Sequence, residues 1–436
     1  MFIQFTKHKN FKVAVAAVTV GLMSFAGYSQ DKAAQLIKID TDNRQLSSLK
    51  SELKKKGEEA KKRVEQYENR HKFYKAYNLL NNQSTEEDDP SVTTQLKDVG
   101  PDGTLYYFGT DNDAAARTTR TNKLHPSSGL GYNLTGEGEK IAIWDAGVVR
   151  EFHETFTGRA NSQEGVYNNN NTNYHATHVA GTMVGALSSA EGRGAGMAPN
   201  AELLSYDWWN DKQEIIQAIT DHNLLVSNHS YSLRAIFLKK YQFGKYLYDA
   251  RDIDRIANNA PYYLHVRAAS NDRTNFQAKG GYDLMYGENT AKNILTVAAV
   301  EKVESYQDAS SVNMSVFSNW GPTDDGRIKP DISGNGVNVY SASDQSNNSY
   351  RALSGTSMAS PNVSGSLILL QQYYKQQNGF YMESAMLKGL ALHTASEAGR
   401  NPGPDYEYGW GLLDAEKAAK AIKDNGELSM VKSMEK

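Results

Sequence analysis

The sequence predicts an α/β fold with a mostly parallel central sheet flanked by helices, preceded by a charged helical segment. Three observations carry this reading. From about residue 139, short apolar runs alternate with stretches of helical periodicity over about 270 residues. The 436 residues, 39% apolar and 22% charged, suffice for a sizeable buried core. Basic residues crowd the first 80 positions, which sets a short front part off from the body.

In chain order, Lys140 to Trp144 reads as a buried strand, as do Glu202 to Tyr206, Leu224 to Asn228, Tyr262 to Ala268 and Ile294 to Ala299. Between them, Gln213 to His222 places Ile215, Ile216 and Ile219 on one helical face, and Lys245 to Asn258 has similar periodicity. A long apolar helix with Val363, Leu367, Ile368 and Leu370 opens at Ser357. Asn168 to Asn173 reads as an exposed loop. In such sheets, chemistry gathers at the carboxyl ends of strands and the amino ends of helices.

Residues 1–30 read as a cleavable signal peptide. Lys7, Lys9 and Lys12 precede the uncharged run Val13 to Ala26, which is too short to span a membrane, and small residues follow it. Residues 31–110 read as a charged helical pro-region or linker. Leu36, Ile37, Ile39, Leu46, Leu49 and Leu53 fall at helical spacing, as do Tyr67, Phe73, Tyr77 and Leu80, and Glu86 to Asp89 is an acidic breaker. Residues 111–425 form the main domain and 426–436 a C-terminal tail. The net charge of −3 divides into +8 over residues 1–80 and −11 over residues 81–436. An acidic body disfavours nucleic acid as a partner. With no cysteine, disulfides, Cys-based zinc sites, iron–sulfur clusters and a Cys nucleophile are all excluded.

Three segments carry chemistry. Gly355 permits a tight turn before Ser357, which sits at a helix N-terminus beside free N–H groups, a setting that suits a nucleophile whose attack creates an oxyanion. Taken alone, such a serine is more often a helix cap. Tyr174-His175-Ala176-Thr177-His178 enters a small-residue helix that presents His175 as a candidate base. His175 and His178 also stand at i, i+3, but the glutamate of a zinc helix motif is absent. Asp145, at the end of the first strand and before Gly147, is a candidate to hold the imidazole; a lone Asp there is commonly a turn residue.

The order Asp145, His175, Ser357, each on the element its role requires, resembles the subtilisin-like serine proteases. The resemblance spans roughly residues 111–422. It implies a three-layer subtilisin-like fold and a secreted serine endopeptidase acting through an acyl-enzyme, with the three residues as triad. Arg267 to Asp272 resembles the oxyanion segment, with Asn271 as side-chain donor. Val226 to Ser232 resembles one wall of the primary specificity pocket. The resemblance thus assigns Asn228, Ser230, Tyr231, Ser232, Ala269 and Ser270 to substrate binding. Gly196 to Ala201, Gly321 to Asp331 and Gly403 to Gly411 match framework turns. Gly192-Arg193-Gly194 and Gly334-Asn335-Gly336 complete no phosphate-loop motif and read as turns.

The chain departs from the family pattern at three small residues. Ala146 stands where a hydroxyl residue is common, Ala176 where Gly is usual, and Ser270 where Gly precedes the oxyanion Asn. The expected partners are protein or peptide substrates and the chain's own pro-region, and a monomer is expected. The chemistry needs no cofactor. Structural calcium is frequent in the family; Asp324, Asp325 and Asp331 are candidate carboxylates, with no ligand assigned. Two rivals remain at this stage: a catalytically impaired relative used as a binding module, and a processing protease restricted to a few precursors.

Overall fold

The structure, a computed structural model, describes residues 32–80, 94–99, 105–109, 115–156, 158–164, 172–186 and 194–425, with backbone only for 67–80, 94–99 and 105–109. The signal-peptide reading of 1–30, the acidic breaker, most of the Asn-rich loop, Gly192-Arg193 and the tail 426–436 lie outside these residues.

The chain begins with helices α1 (32–40) and α2 (Asn43–Leu80), then a hairpin of β1 (Thr94–Val99) and β2 (Leu105–Gly109). The body follows as β3 (Lys140–Asp145), β4 (Ala160–Ser162), α3 (Tyr174–Val184), β5 (Glu202–Asp207), α4 (Asp211–His222), β6 (Val226–His229), β7 (Ser232–Leu233), α5 (Tyr248–Asn259), β8 (Leu264–Ala268), β9 (Leu295–Val300) and β10 (Ile332–Asn335). A second hairpin, β11 (Val339–Ala342) and β12 (Tyr350–Leu353), leads into α6 (Thr356–Asn378), α7 (Ser384–His393) and α8 (Ala415–Asp424).

Seven strands form the central sheet in the order β10-β9-β8-β6-β3-β5-β4, and all neighbours are parallel. The chain builds outward from β3 to β5 on one side and to β6 on the other. That reversal opens a crevice at the carboxyl ends of β3 and β6.

Strand alternation explains the layers. Ile141 and Ile143 point into a core shared with α3 and α6 through Val179, Met358, Val363 and Leu367. Ala142 and Trp144 point the other way, into a core with Ile215, Ile216 and Ile219 of α4 and Ile253 and Ile256 of α5. The five predicted strands and the helical face of α4 are therefore present, with ends displaced by at most two residues. Because both faces of the sheet are covered, its strands read as continuous apolar runs in the sequence.

The N-terminal helices pack on the α4–α5 layer. Leu46, Leu49 and Leu53 of α2 are buried there, each contributing roughly 1.5–3 kcal/mol. Ion pairs Lys56–Asp252 (2.8 Å) and Arg255–Glu52 (2.8 Å) border the contact, and Tyr262 donates to Asp40 (3.0 Å). Of the periodic residues in α1, Ile37 is buried, whereas Ile39 is 75% exposed and takes no part.

One turn expectation is corrected. Gly334 and Asn335 lie in β10, not in a turn. The sheet packs so closely on α6 here that a Cβ on Gly334 would come within 2.9 Å of the Ala359 carbonyl oxygen.

Candidate active site

Asp145 ends β3, fully buried. Its Oδ1 accepts from His175 Nδ1 at 2.6 Å and from the Ala146 N–H at 2.7 Å. His175 is held by its place in α3. Asn173 caps that helix, its side chain accepting from the N–H groups of His175 (2.8 Å) and Ala176 (3.3 Å). With Nδ1 donating to a carboxylate, Nε2 is the ring nitrogen left to accept a proton.

Ser357 lies in the first turn of α6. Its hydroxyl donates to the Ser230 carbonyl at 3.0 Å, and the Ser230 hydroxyl donates back to the Ser357 carbonyl at 2.7 Å. Trp144 of β3 stands opposite His229 of β6, so Asp145 and Ser230 each come directly after the last paired residues of two neighbouring strands.

Asn271 is tied to the same helix start. Its Oδ1 accepts from the Thr356 N–H at 2.8 Å and from the Thr356 hydroxyl at 3.0 Å, which turns its NH2 end away from the helix. The Thr356 hydroxyl also accepts from the Ser270 N–H at 3.1 Å. Ser270 is left-handed, with φ 79°, a conformation costing a non-glycine residue about 1–2 kcal/mol. Asn289 donates to its hydroxyl at 3.2 Å. Ala269 is buried, its N–H bonded to the Val297 carbonyl at 2.9 Å.

Two expectations for substrate contact are corrected. Asn228 is fully buried beneath the site. Its Oδ1 accepts from the hydroxyls of Ser360 (2.7 Å) and Ser364 (3.4 Å), and its amide donates to Ser230 (2.8 Å). It pins β6 to α6. The Tyr231 side chain is taken up away from Ser230 and Ser357, by partners behind the sheet. Its hydroxyl donates to Asp211 (3.0 Å), and its ring lies 4.8 Å from the Arg267 guanidinium. Only its backbone can contribute to the cleft.

The sequence reading missed Thr356, Asn173 and Asn319, whose Oδ1 accepts from the Asp272 N–H at 2.7 Å. Asn173 carried a signal, an Asn directly before a helix; the other two act only through tertiary contacts. Behind the cleft, buried Glu288 pairs with Arg267 and Lys212, each at 2.5 Å. Burial works against its charge, but the two cations hold its carboxyl low.

His178 is no metal ligand. It is fully buried, and Nε2 lies 3.1 Å and 3.2 Å from the carbonyls of Arg351 and Val339, so it donates there; burial lowers its pKa to about 3. Two of the three carboxylates considered for calcium have other partners. Asp325 is taken up by Arg327 (2.9 Å) and Thr323, and Asp331 by Lys329 (2.5 Å) and Lys388 (2.9 Å). Among the described residues no three His, Cys, Asp or Glu side chains converge on a metal-sized point.

Beside the site, the Trp144 indole N–H donates to Glu214 at 3.1 Å. Burial, with Glu164 nearby, pushes the Glu214 carboxyl up to about 8. Its folded pKa therefore lies above the unfolded value near 4.5. The stabilisation from its protonated form is complete below about 4.5 and is lost as pH rises through about 8. Thermal melts from pH 6 to 9 are expected to show a steeper alkaline fall in Tm for the wild type than for Glu214→Gln. Parallel curves would contradict the assignment.

A parallel α/β sheet with a buried Asp–His pair beside a serine-bearing helix start has the parts of a serine hydrolase. The chain belongs to the subtilase family, whose model matches residues 136–411. It is 38% identical over 154 residues to a C5a peptidase of Streptococcus pyogenes serotype M1, a match covering 33% of this chain and 13% of that protein. It is 38% identical over 127 residues to a PII-type proteinase of Lacticaseibacillus paracasei, covering 26% of this chain and 7% of the relative. The matches thus span only a small part of these relatives' length. The self-cleaved protease domain of PatA superposes with a TM-score of 0.51 at 22% identity, covering 66% of this chain and 98% of that one, which supports the fold. Among the described residues no helix is long and apolar enough to cross a membrane.

Proposed function

We propose that the chain is an exported serine endopeptidase that hydrolyses peptide bonds through an acyl-enzyme. The observation that carries this reading is the 2.6 Å Asp145–His175 bond, in which a buried carboxylate orients the imidazole through Nδ1. Substrate binding turns the Ser357 hydroxyl from the Ser230 carbonyl to His175 Nε2. As the hydroxyl oxygen attacks the scissile carbonyl carbon, its proton passes to Nε2, and the carbonyl oxygen becomes an oxyanion received by the Asn271 amide and the Ser357 N–H. The C–N bond then breaks with proton return from His175 to the leaving amine. Water, deprotonated by His175, releases the acid and restores Ser357. No cofactor enters these steps. The active form is expected to be a monomer.

Hydrolysis of a fluorogenic peptide by the purified chain tests this. His175→Ala is expected to lower turnover by about 10⁶, a loss taken from subtilisin, and the Ser357→Ala/His175→Ala double variant to lose little more. Undiminished hydrolysis by His175→Ala would overturn the reading. So would a folded wild type that hydrolyses nothing, the result the impaired binding module requires.

The proposal extends to the front of the chain, with 1–30 as signal peptide and 31–110 as pro-region. Strand β2 supports it. Gly109 pairs antiparallel with Ser232 and Phe108 with Leu233, on the edge where a substrate backbone would add. N-terminal sequencing of the active secreted form is expected to find a start near or beyond residue 110. A retained start at Asp31 would contradict it. Release of α2 would uncover Leu46, Leu49 and Leu53.

A further inference from the structure

We propose that Tyr286 closes the base of the primary specificity pocket, so that the residue on the acyl side of the scissile bond must be small: Gly, Ala or Ser. The inference rests on the serine-endopeptidase reading and names the substrate class of that same site.

The two walls of the pocket are Ser230–Ser232 after β6 and Ala269–Ser270 after β8. The Tyr286 hydroxyl bridges them. It lies 3.5 Å from the Ser232 hydroxyl on one wall, donates to Asp272 Oδ2 at 2.6 Å beyond the other, and is bonded as well to Ser270. A side chain entering between the walls would meet the phenol before it reached any depth.

The phenol is also locked. Its ring packs edge-on against Phe243, with centroids 5.6 Å apart, in a small cluster with Ala235 and Leu284, and the residue is only 2% exposed. Asp272, which receives the hydroxyl, is fixed in turn by the Asn319 amide at 3.1 Å. Swinging the ring out would remove one of the two donors to the Asp272 carboxylate and empty an apolar site, so the plug resists a large substrate residue. Burial keeps the phenol protonated and therefore a donor across the working pH range. The chain's own sequence from the last residue of β2 onward offers small residues to such a pocket, at Gly109 and Ala114 to Ala116.

The test is a series of peptides that differ only at the acyl-side residue (Gly, Ala, Ser, Leu or Phe), assayed as kcat/KM with the full chain. The wild type is expected to favour Ala over Phe by at least about tenfold, the lower end of what one pocket contact discriminates. Tyr286→Ala is expected to shift that ratio towards Phe by at least about tenfold. Tyr286→Phe keeps the ring and is expected to retain the wild-type preference. A wild type that cleaves after Phe as readily as after Ala overturns the proposal. So does a Tyr286→Ala variant with native circular dichroism and an unchanged ratio. Should Tyr286→Ala fail to fold, Tyr286→Leu and the wild-type profile decide in the same way. Fluorophosphonate labelling of Ser357 separates the two levels of the argument. A labelled enzyme that accepts Phe sinks only the Tyr286 assignment. An unlabelled, inactive protein sinks the peptidase reading and this inference with it.

Discussion

Replacing Ser357 by alanine is expected to lower kcat on a peptide substrate by about 10⁶, a magnitude taken from subtilisin, while KM changes little. The reason is local. The hydroxyl that would become the acyl ester is the only atom removed, and its present partner, the Ser230 carbonyl, loses one hydrogen bond of about 1 kcal/mol. The fold does not depend on it, because Ser230 keeps its own bond to the Ser357 carbonyl and α6 stays packed through Met358, Val363 and Leu367. A near-native Tm with turnover lost therefore marks a chemical role. A large fall in Tm with turnover largely kept would mark the ordinary alternative, a serine that only starts a helix. Residual catalysis above water is expected to survive, because Asn271 and the substrate cleft remain.

The second large effect belongs to Asn271. Asn271→Leu is expected to lower kcat by about 10²–10³ with KM nearly unchanged, since the amide serves the oxyanion and not the ground-state substrate. This variant also removes the acceptor for the Thr356 N–H and hydroxyl, so some stability goes with it. Asn271→Asp separates the two roles. A carboxylate still accepts from Thr356 but offers no N–H to an oxyanion, and its charge opposes one. The expected result is a Tm close to wild type with kcat lowered at least as far as in Asn271→Leu. A high-turnover Asn271→Asp variant would show that the oxyanion is stabilised elsewhere.

The central sheet was legible because burial on both faces writes itself into uninterrupted runs such as Lys140 to Trp144 and Ile294 to Ala299. Strand β4, with three residues, and β10, with Gly334 and Asn335, carry no such run, so only the packing of α6 reveals the latter. The residues proposed for chemistry were legible because each sits at an element boundary with its own local signature. Their supports were not. Thr356 meets Asn271 across 85 positions and Asn228 meets Ser360 across 132, separations that no local pattern encodes. Tyr231 was misjudged because its bond to Asp211 and its contact with Arg267 arise only in the fold. Tyr286 carried no signal at all; its ring is one more apolar residue until the fold brings Ser232, Ser270 and Asp272 around its hydroxyl.

The departures from the family pattern have physical counterparts. Asp145 Oδ2 is buried and accepts no hydrogen bond among the described residues, and Ala146 beside it has no hydroxyl to offer. Ser270 holds a left-handed backbone that glycine adopts freely, and ties from Thr356 and Asn289 keep it there.

The central claim is that Ser357 is a nucleophile activated by His175. It is tested most directly by treating the purified chain with a fluorophosphonate and mapping the adduct by peptide mass spectrometry. The account predicts one phosphonyl group per chain, on Ser357, absent from Ser357→Ala and strongly slowed in His175→Ala. A folded wild-type protein that stays unlabelled at Ser357, or one labelled equally fast without His175, would contradict it.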